Sequence, residues 1–147
     1  MGRYKWIIIA LIILLVVGIF VWFKGNEKPL EIGRRDELYT IQGQVSKWFA
    51  ISDTIEAKIG NKTVSLKLSE YPEITIIGPN PKDRLNTTIL IKSQYTSQEW
   101  GRAFCEGDVL LIGTKENNWT NLKNYMQITP DFVNVEDRVC YNSQSAN

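Results

Sequence analysis

The chain has 147 residues, with 17 Lys and Arg against 16 Asp and Glu, two Cys and no His. The lack of an imidazole excludes a Ser/His or Cys/His catalytic pair, a His-based metal site and a His general base. The length allows one globular domain at most, because single domains typically take about 100–150 residues.

An uncharged apolar segment covers residues 6–23, after a short tail, residues 1–5, that we expect to be cytoplasmic. As a helix with a rise of about 1.5 Å per residue, its 18 residues extend about 27 Å, close to the roughly 30 Å of a bilayer core. Trp6 and Trp22 lie at its two ends, where amphipathic rings prefer the headgroup level. A cleaved signal peptide is the alternative, but the small residues of a cleavage site do not follow the segment. The segment predicts a single-pass transmembrane helix.

The positive-inside rule does not decide which side of the membrane the rest of the chain faces, because basic residues flank the segment on both sides. Three sequons for N-glycosylation, at Asn61, Asn86 and Asn118, favour the outside. We therefore expect a glycoprotein of the cell membrane with an extracytoplasmic C-terminal domain.

The only two cysteines, Cys105 and Cys140, flank a predicted hairpin of residues 109–114 and 125–135. The antiparallel register that sets the cysteines opposite each other also sets apolar residues opposite apolar ones. These pairs are Leu110 with Val135 and Ile112 with Val133. The register is compatible with a disulfide bond, which would imply an oxidising compartment; two unrelated buried thiols are the alternative.

The remainder of the chain divides into a polar linker over residues 24–36, a β domain over residues 37–140 and a flexible tail over residues 141–147. From residue 24 onward the formal charge is −1, with 15 Lys and Arg and 16 Asp and Glu. The domain is therefore not basic.

Apolar and polar residues alternate through most of the domain, as they do in half-buried strands. Residues 39–46 and 54–59 are predicted strands, and Gly60-Asn61 supplies a two-residue turn into a third. Pairing across this turn sets Ala57 against Val64 and Ile55 against Leu66 on one face. Residues 74–77 and 87–92 form a predicted additional pair of strands between proline-containing breaks.

One helix is predicted, and it begins with the capping-box pattern Thr96-Ser-Gln-Glu99. Trp100 and Phe104, four residues apart, give it a single apolar stripe of about two turns. Such a helix would close one end of a barrel.

This order of strands, helix and closing hairpin resembles the OB-fold, in residues 39–68, 107–113 and 125–135 with the helix between them, about two thirds of the chain. The resemblance lies in the topology and carries no diagnostic motif. It implies an all-β domain with one short helix, built as a small barrel behind the membrane helix. The alternative is a β-sandwich of six or seven strands.

Ligands of OB-folds usually meet the second and third strands and the loops after the first and fourth. The first of these loops contains Trp48 and Phe49, and the other contains Asn117 and Trp119, so these four residues are the candidate ligand-binding residues. Trp48 and Phe49 have an alternative role as a cover for the open end of the barrel. Trp119 stands among polar residues, which favours an exposed position.

Three functions fit these observations. The first is a membrane-anchored binding or scaffolding module that contacts another envelope protein or a glycan. The second is a single-stranded nucleic-acid-binding domain, with Lys58, Lys62, Lys67 and Lys92 as a basic stripe, although the domain charge of −1 makes nucleic acid an unfavourable partner.

The third function follows from a resemblance to the membrane-anchored OB-fold haem chaperones of cytochrome c maturation. Their tail carries His or Cys, followed by Tyr after three intervening residues. Here Cys140 is followed directly by Tyr141, which departs from that pattern. Phosphate loops, paired CxxC motifs and any spacing that recommends a catalytic dyad are missing from the sequence. We therefore expect a protein that is not an enzyme, with no catalytic residues, metal or cofactor.

Overall fold

The computed structural model describes residues 8, 11–19 and 30–139. Residue 8 and residues 11–19 are helical, and their apolar side chains are exposed. In this described portion of the chain, no helix is both long and apolar enough to cross a membrane. The ends of the predicted span, the tail over residues 1–5 and the tail over residues 141–147 lie outside the described residues.

Residues 30–139 form a mostly β domain with one short α-helix. The strands are β1 Gly33–Arg35, β2 Leu38–Phe49, β3 Thr54–Ile59, β4 Lys62–Lys67, β5 Thr75–Pro79, β6 Thr87–Ile89, β7 Val109–Thr114, β8 Gln127–Ile128 and β9 Phe132–Asp137. The short helix is Ser97–Trp100, preceded by a 3₁₀ turn at Lys92–Gln94.

These nine strands form a single mixed sheet in the order β6-β5-β9-β7-β2-β3-β4-β8, with β1 added beside β2. The sheet is open, so the predicted closed barrel is wrong, and so is the two-sheet sandwich. The physical reason lies in the returning strand, which was predicted as one run over residues 125–135. Pro130 has no N–H to donate and divides this run into β8, parallel to β4 over two residue pairs, and β9, antiparallel to β7.

The predicted registers of both hairpins are confirmed. Across the Gly60 turn, Ala57 faces Val64 and Ile55 faces Leu66, and Gly60 has a φ of 59°, the left-handed value that this turn requires. In the second hairpin, Leu110 faces Val135 and Ile112 faces Val133, as predicted. A bulge between Val109 and Leu110 then shifts the pairing by one residue, so the predicted register does not continue toward Cys105.

The capping box of the short helix is also confirmed. The Thr96 side chain accepts a hydrogen bond from the Glu99 N–H, and the Glu99 carboxylate accepts one from the Thr96 N–H. The helix is four residues long rather than two turns, and Gly101 caps its C-terminus. Trp100 and Phe104 are buried in the core, as the apolar stripe predicted.

The predicted linker is in part folded onto the domain. Leu30 and Ile32 pack against the core, and β1 pairs with the start of β2. The segment that was predicted as a linker up to residue 36 therefore packs on the domain from residue 30 and joins the sheet at β1. The additional strand pair also differs slightly, because β6 ends at Ile89 and not at residue 92.

The register of β2 defines two ends of the domain. The proximal pole is the end where the chain enters, with Leu30, the start of β2, the end of β7 and the Gly60 turn. The distal pole is the opposite end, with the β2–β3 turn, the start of β7 and the short helix. The positions of the side chains at both poles are thus set by the strands and the helix.

We expect Ile112→Ala to lower the free energy of unfolding by about 2–5 kcal/mol, since Ile112 is fully buried in the β7 ladder and its truncation leaves a cavity. Leu111→Ala, at the half-buried neighbouring position on the other face, is the control and should cost clearly less. Urea unfolding followed by Trp fluorescence measures both. Equal losses would contradict the assignment of the core face of β7.

Candidate functional site

The four predicted ligand-binding residues do not form one site. Trp48 and Phe49 lie at the distal pole, at the end of β2. Trp119 and Asn117 lie in the loop after β7, at the proximal pole, where the Trp119 Nε1 donates a hydrogen bond of 2.8 Å to the Tyr39 carbonyl. About nine residues of strand, roughly 30 Å, separate the two groups.

Trp119 is buried, with 1 % of its surface exposed, so the expectation of an exposed ring is wrong. Its polar sequence neighbours suggested a loop tip, but the loop folds back over the start of β2. There the indole N–H finds an acceptor and the ring joins the core. Asn117 remains exposed.

Trp48 packs against the end of the domain, which agrees with the covering role. Its ring centroid lies 4.9 Å from that of Phe104 and 5.9 Å from that of Trp100, both edge-to-face. Its Nε1 donates to the Trp100 carbonyl at 3.3 Å. Phe49 is half-buried, and the Lys47 Nζ lies 4.8 Å from its ring centroid.

A cleft of about 450 Å³ lies beside these rings at the distal pole. This distal cleft is within the range of about 300–1,000 Å³ that is typical of ligand sites. Its lining combines apolar, aromatic, hydroxyl and charged side chains from the β2–β3 turn, the segment after β4 and the segment around the short helix. The lining residues are Ala50, Ile51, Glu70, Lys92, Ser93, Tyr95, Ser97 and Trp100.

Asp53 connects the segments that form the distal cleft. Its carboxylate accepts hydrogen bonds from the Lys92 Nζ at 2.6 Å and from the Trp100 Nε1 at 2.8 Å. Its backbone carbonyl accepts from the Leu68 N–H at 2.8 Å. Asp53 has a φ of 51°, a left-handed conformation that Asp tolerates better than most residues. One side chain therefore fixes the β2–β3 turn against the 3₁₀ turn and the short helix.

Two aromatic rings form an apolar wall of the distal cleft. Tyr95 and Trp100 are stacked, with centroids 6.3 Å apart and ring planes at 19°. The Lys82 Nζ lies 5.5 Å from the centroid of Tyr95. Burial, together with the charges of Asp83 and Glu99, raises the pKa of the Tyr95 hydroxyl, so it remains a neutral donor at physiological pH.

A second polar cluster lies under the start of β7. Asp108 is fully buried and accepts hydrogen bonds from the Cys105 N–H at 2.8 Å and the Val139 N–H at 3.3 Å. The Arg138 guanidinium lies 3.9 Å from the same carboxylate and donates to the Arg102 and Ala103 carbonyls. The cluster ties the end of β9 to the segment after the short helix.

The predicted modification sites differ in exposure. Asn61 and Asn86 are exposed, whereas Asn118 is half-buried beside the buried Trp119. Cys105 is not a free thiol. Its predicted partner, Cys140, lies outside the described residues, as does Tyr141, so their pairing and the haem-carrier reading stay predictions.

The basic stripe that favoured nucleic acid is largely occupied by bonds within the domain. The Lys62 Nζ donates to the Leu122 carbonyl at 2.7 Å, the Lys67 Nζ donates to the Ser52 carbonyl, and Lys92 pairs with Asp53. Each ammonium group has three donors, so these bonds fix the lysine side chains without excluding a phosphate contact. Among residues 30–139 there is no group of three or more His, Cys, Asp or Glu side chains placed to hold a metal ion.

Sequence reasoning missed Asp53, Asp108 and the distal cleft. The turn after β2 gave a weak signal for Asp53, because Asp is favoured in turns. Asp108 stands in the turn Glu106-Gly107-Asp108 before β7, and residues of this kind in a turn are usually exposed, so no local pattern predicts its burial. The partners of Asp53 are distant in the chain, and so are Arg138 and Val139 among the partners of Asp108, whereas Cys105 is only three residues away.

We expect Asp53→Ala to lower the free energy of unfolding by about 1–3 kcal/mol, because Lys92 and the Trp100 indole both lose their acceptor. Asp53→Asn tolerates the left-handed backbone but has one acceptor oxygen for two donors, so it keeps one of the two bonds and should cost less than the Ala variant. Urea unfolding of both variants measures the difference. A loss in the Asn variant as large as that in the Ala variant would contradict the expected partial retention of these bonds.

Burial raises the pKa of Asp108, and the Cys105 N–H and Arg138 oppose this effect. The native state therefore holds the Asp108 proton more tightly than the unfolded chain does, whose Asp pKa is about 3.9. The contribution of this group is fully present below that value and is lost as the pH rises through the raised native pKa. The stability of the wild type relative to Asp108→Asn should fall from pH 4 upward, as urea unfolding at a series of pH values measures. A difference that rises with pH would contradict this direction.

The chain was also compared with known proteins. No protein-family model matches it, and neither the curated proteins nor the solved structures contain a significant match.

Proposed function

We propose that this chain is a membrane-anchored binding module: residues 6–23 hold it in the cell membrane, and the β domain binds a partner outside the cytoplasm. It acts without catalysis, as a component of a cell-envelope assembly whose other members are proteins or glycans. Its ligand site is the distal cleft.

The observation that carries the anchor is the exposure of the apolar helical residues. Nine large aliphatic side chains at residue 8 and within residues 11–19 are between 48 % and 70 % exposed, so they do not pack against the β domain. Each gains about 1.5–3 kcal/mol when it leaves water, which is a strong drive toward an apolar environment. The length and flanking residues of the segment favour lipid as that environment.

The position of the distal cleft supports a binding role. The chain enters the domain at the proximal pole, where Leu30 lies against Gly60 and β1 pairs with β2. The distal cleft lies at the other end of β2, beyond the Trp48 ring. A domain tethered at its proximal pole therefore presents this cleft away from the bilayer, where a partner has access to it.

The OB-like architecture is part of this proposal. Strands β2, β3, β4, β7 and β9 follow the chain order and the antiparallel pairing of the five OB strands. Three residues connect β8, which pairs with β4, to β9, which pairs with β7. The hydrogen-bonded sheet stays open, because β8 and β9 do not pair among the described strands.

The extracytoplasmic side is supported by the exposed sequons Asn61 and Asn86 and by the bonded state of Cys105. We propose that Cys105 pairs with Cys140, because these are the two cysteines of the chain. The Asp108–Arg138 cluster holds residues 138 and 139 beside Cys105, which favours the pairing. A structural disulfide persists in an oxidising compartment.

The test is the labelling of single introduced cysteines in intact cells with a membrane-impermeant maleimide. Lys123→Cys, at an exposed position of the domain, should be labelled without permeabilisation. Tyr4→Cys, before the apolar segment, is the control and should be labelled only after permeabilisation. In the same preparations, the full chain should stay in carbonate-washed membranes and a chain without residues 6–23 should leave them.

Two results would contradict the proposal. Labelling of Tyr4→Cys alone in intact cells would place the domain in the cytoplasm. Recovery of the full chain in the carbonate supernatant would refute the anchor.

A further inference from the structure

The β2–β3 turn holds one aliphatic side chain in water. Ile51 is fully exposed at the edge of the distal cleft. The residues that follow it are held by hydrogen bonds: the Ser52 carbonyl accepts from Lys67 and from Thr54, and Asp53 is fixed as described above. An exposed aliphatic residue on a tethered turn loses little conformational entropy when a partner covers it.

The lining of the distal cleft contains two charged side chains, Lys92 and Glu70. Lys92 is neutralised by Asp53 at 2.6 Å. Lys82 lies over the Tyr95 ring and is not part of this lining. Glu70 lines the cleft, is exposed and has no ion-pair partner among the described residues. A cationic group is therefore the complementary charge for this cleft.

The aromatic wall narrows the choice of cation. A guanidinium is planar, stacks on aromatic rings and binds a carboxylate through two parallel hydrogen bonds, whereas an ammonium is a compact, strongly hydrated point charge. Arginine also carries an apolar stem, which suits the Ala50 and Ile51 side of the cleft. The lining thus matches each part of an arginine side chain.

A second copy of the chain is not the favoured occupant. Two domains joined through their distal poles would point their proximal poles, and with them their membrane segments, in opposite directions. Two copies in one membrane do not meet in this way. The occupant is therefore a different molecule that reaches the domain from the side away from the bilayer.

We propose that the distal cleft binds an arginine side chain on an exposed segment of another protein, with the guanidinium at Glu70 and the stem between Ile51 and the Tyr95–Trp100 wall. The proposal rests on the assignment of the distal cleft as the ligand site of a binding module. It names the chemistry of the ligand that this site selects.

The test uses the full chain in detergent micelles and the peptide acetyl-Gly-Arg-Gly-amide as the probe. The Trp100 indole N–H and the Ile51 methyl groups are the NMR reporters, because both residues line the distal cleft. A peptide with citrulline in place of arginine has nearly the same shape without the charge. We expect saturable shifts with arginine at about millimolar concentrations, and binding about tenfold weaker with citrulline and at high salt.

Matched variants locate the site. Glu70→Gln should weaken arginine binding about fivefold or more by removing the charged acceptor. Glu73→Gln removes a carboxylate three residues away that does not line the cleft, so it should leave binding unchanged. The indole signals of each unliganded variant show that it is folded. Ile51→Ser, at a fully exposed position, should weaken binding without unfolding the domain.

Equal binding of citrulline and arginine, or equal effects of the Glu70 and Glu73 variants, would overturn the proposal. Shifts produced by maltose but not by the arginine peptide would also overturn it, in favour of a glycan ligand. The membrane and labelling experiment is independent of these titrations. An anchored, extracytoplasmic domain that ignores arginine refutes only the ligand, whereas arginine binding by a chain that fails the membrane test refutes only the anchor.

Discussion

The rest of the structure depends on β2, the strand of twelve residues that three other strands share. Its first half pairs with β1 and β7, and its second half pairs with β3. The second half of β2 begins at a bulge between Val45 and Lys47. Beside this bulge, the Val45 N–H donates to the Asp108 carbonyl and the Val45 carbonyl accepts from the Gly107 N–H. Bulges bend and twist a strand. The bulge therefore lets β2 pair with β3 along one edge and with β7 along the other, while its core face remains continuous. The two ends of this strand become the two poles of the domain.

At the proximal pole, polar side chains stabilise the fold through hydrogen bonds to backbone carbonyls. The Trp119 indole N–H is bonded to the start of β2, and Lys62 is bonded to the loop after β7. Leu30 lies against the Gly60 turn, where a Cβ at residue 60 would come within 2.8 Å of the leucine side chain. At the distal pole the corresponding fixed element is Asp53, whose bonds hold the turn and the short helix but leave the cleft between them open. Packing and hydrogen bonds thus hold the proximal pole together, and a carboxylate braces the distal pole.

The features that the sequence predicted well are local. The Gly60 hairpin follows from a two-residue turn and strict alternation, because a slip of one residue would turn every core side chain toward water. The capping box of Thr96 and Glu99 needs only four consecutive residues. Trp119, Asp53 and the division of the last strand were missed for the opposite reason. The acceptor of Trp119 is 80 residues away, the partners of Asp53 are 39 and 47 residues away, and β8 pairs with β4 across the sheet. A pattern of neighbouring residues cannot predict contacts between residues so far apart in the sequence. The distal cleft was missed for this reason, because its lining comes from several distant segments of the chain.

The same separation explains why the burial of the aromatic side chains could not be predicted from the sequence. Exposed aromatics at loop tips are attractive candidates, yet Trp48 and Trp119 both place their indole N–H groups on backbone carbonyls of the domain and are used for packing. Large rings that must be buried close the ends of the sheet, and the smaller residues beside them, Ile51 and Glu70, are left at the surface of the cleft. Our proposal therefore places the ligand site next to the largest rings rather than on them, where the fixed aromatic wall would supply shape and Glu70 would supply the charge that selects the ligand.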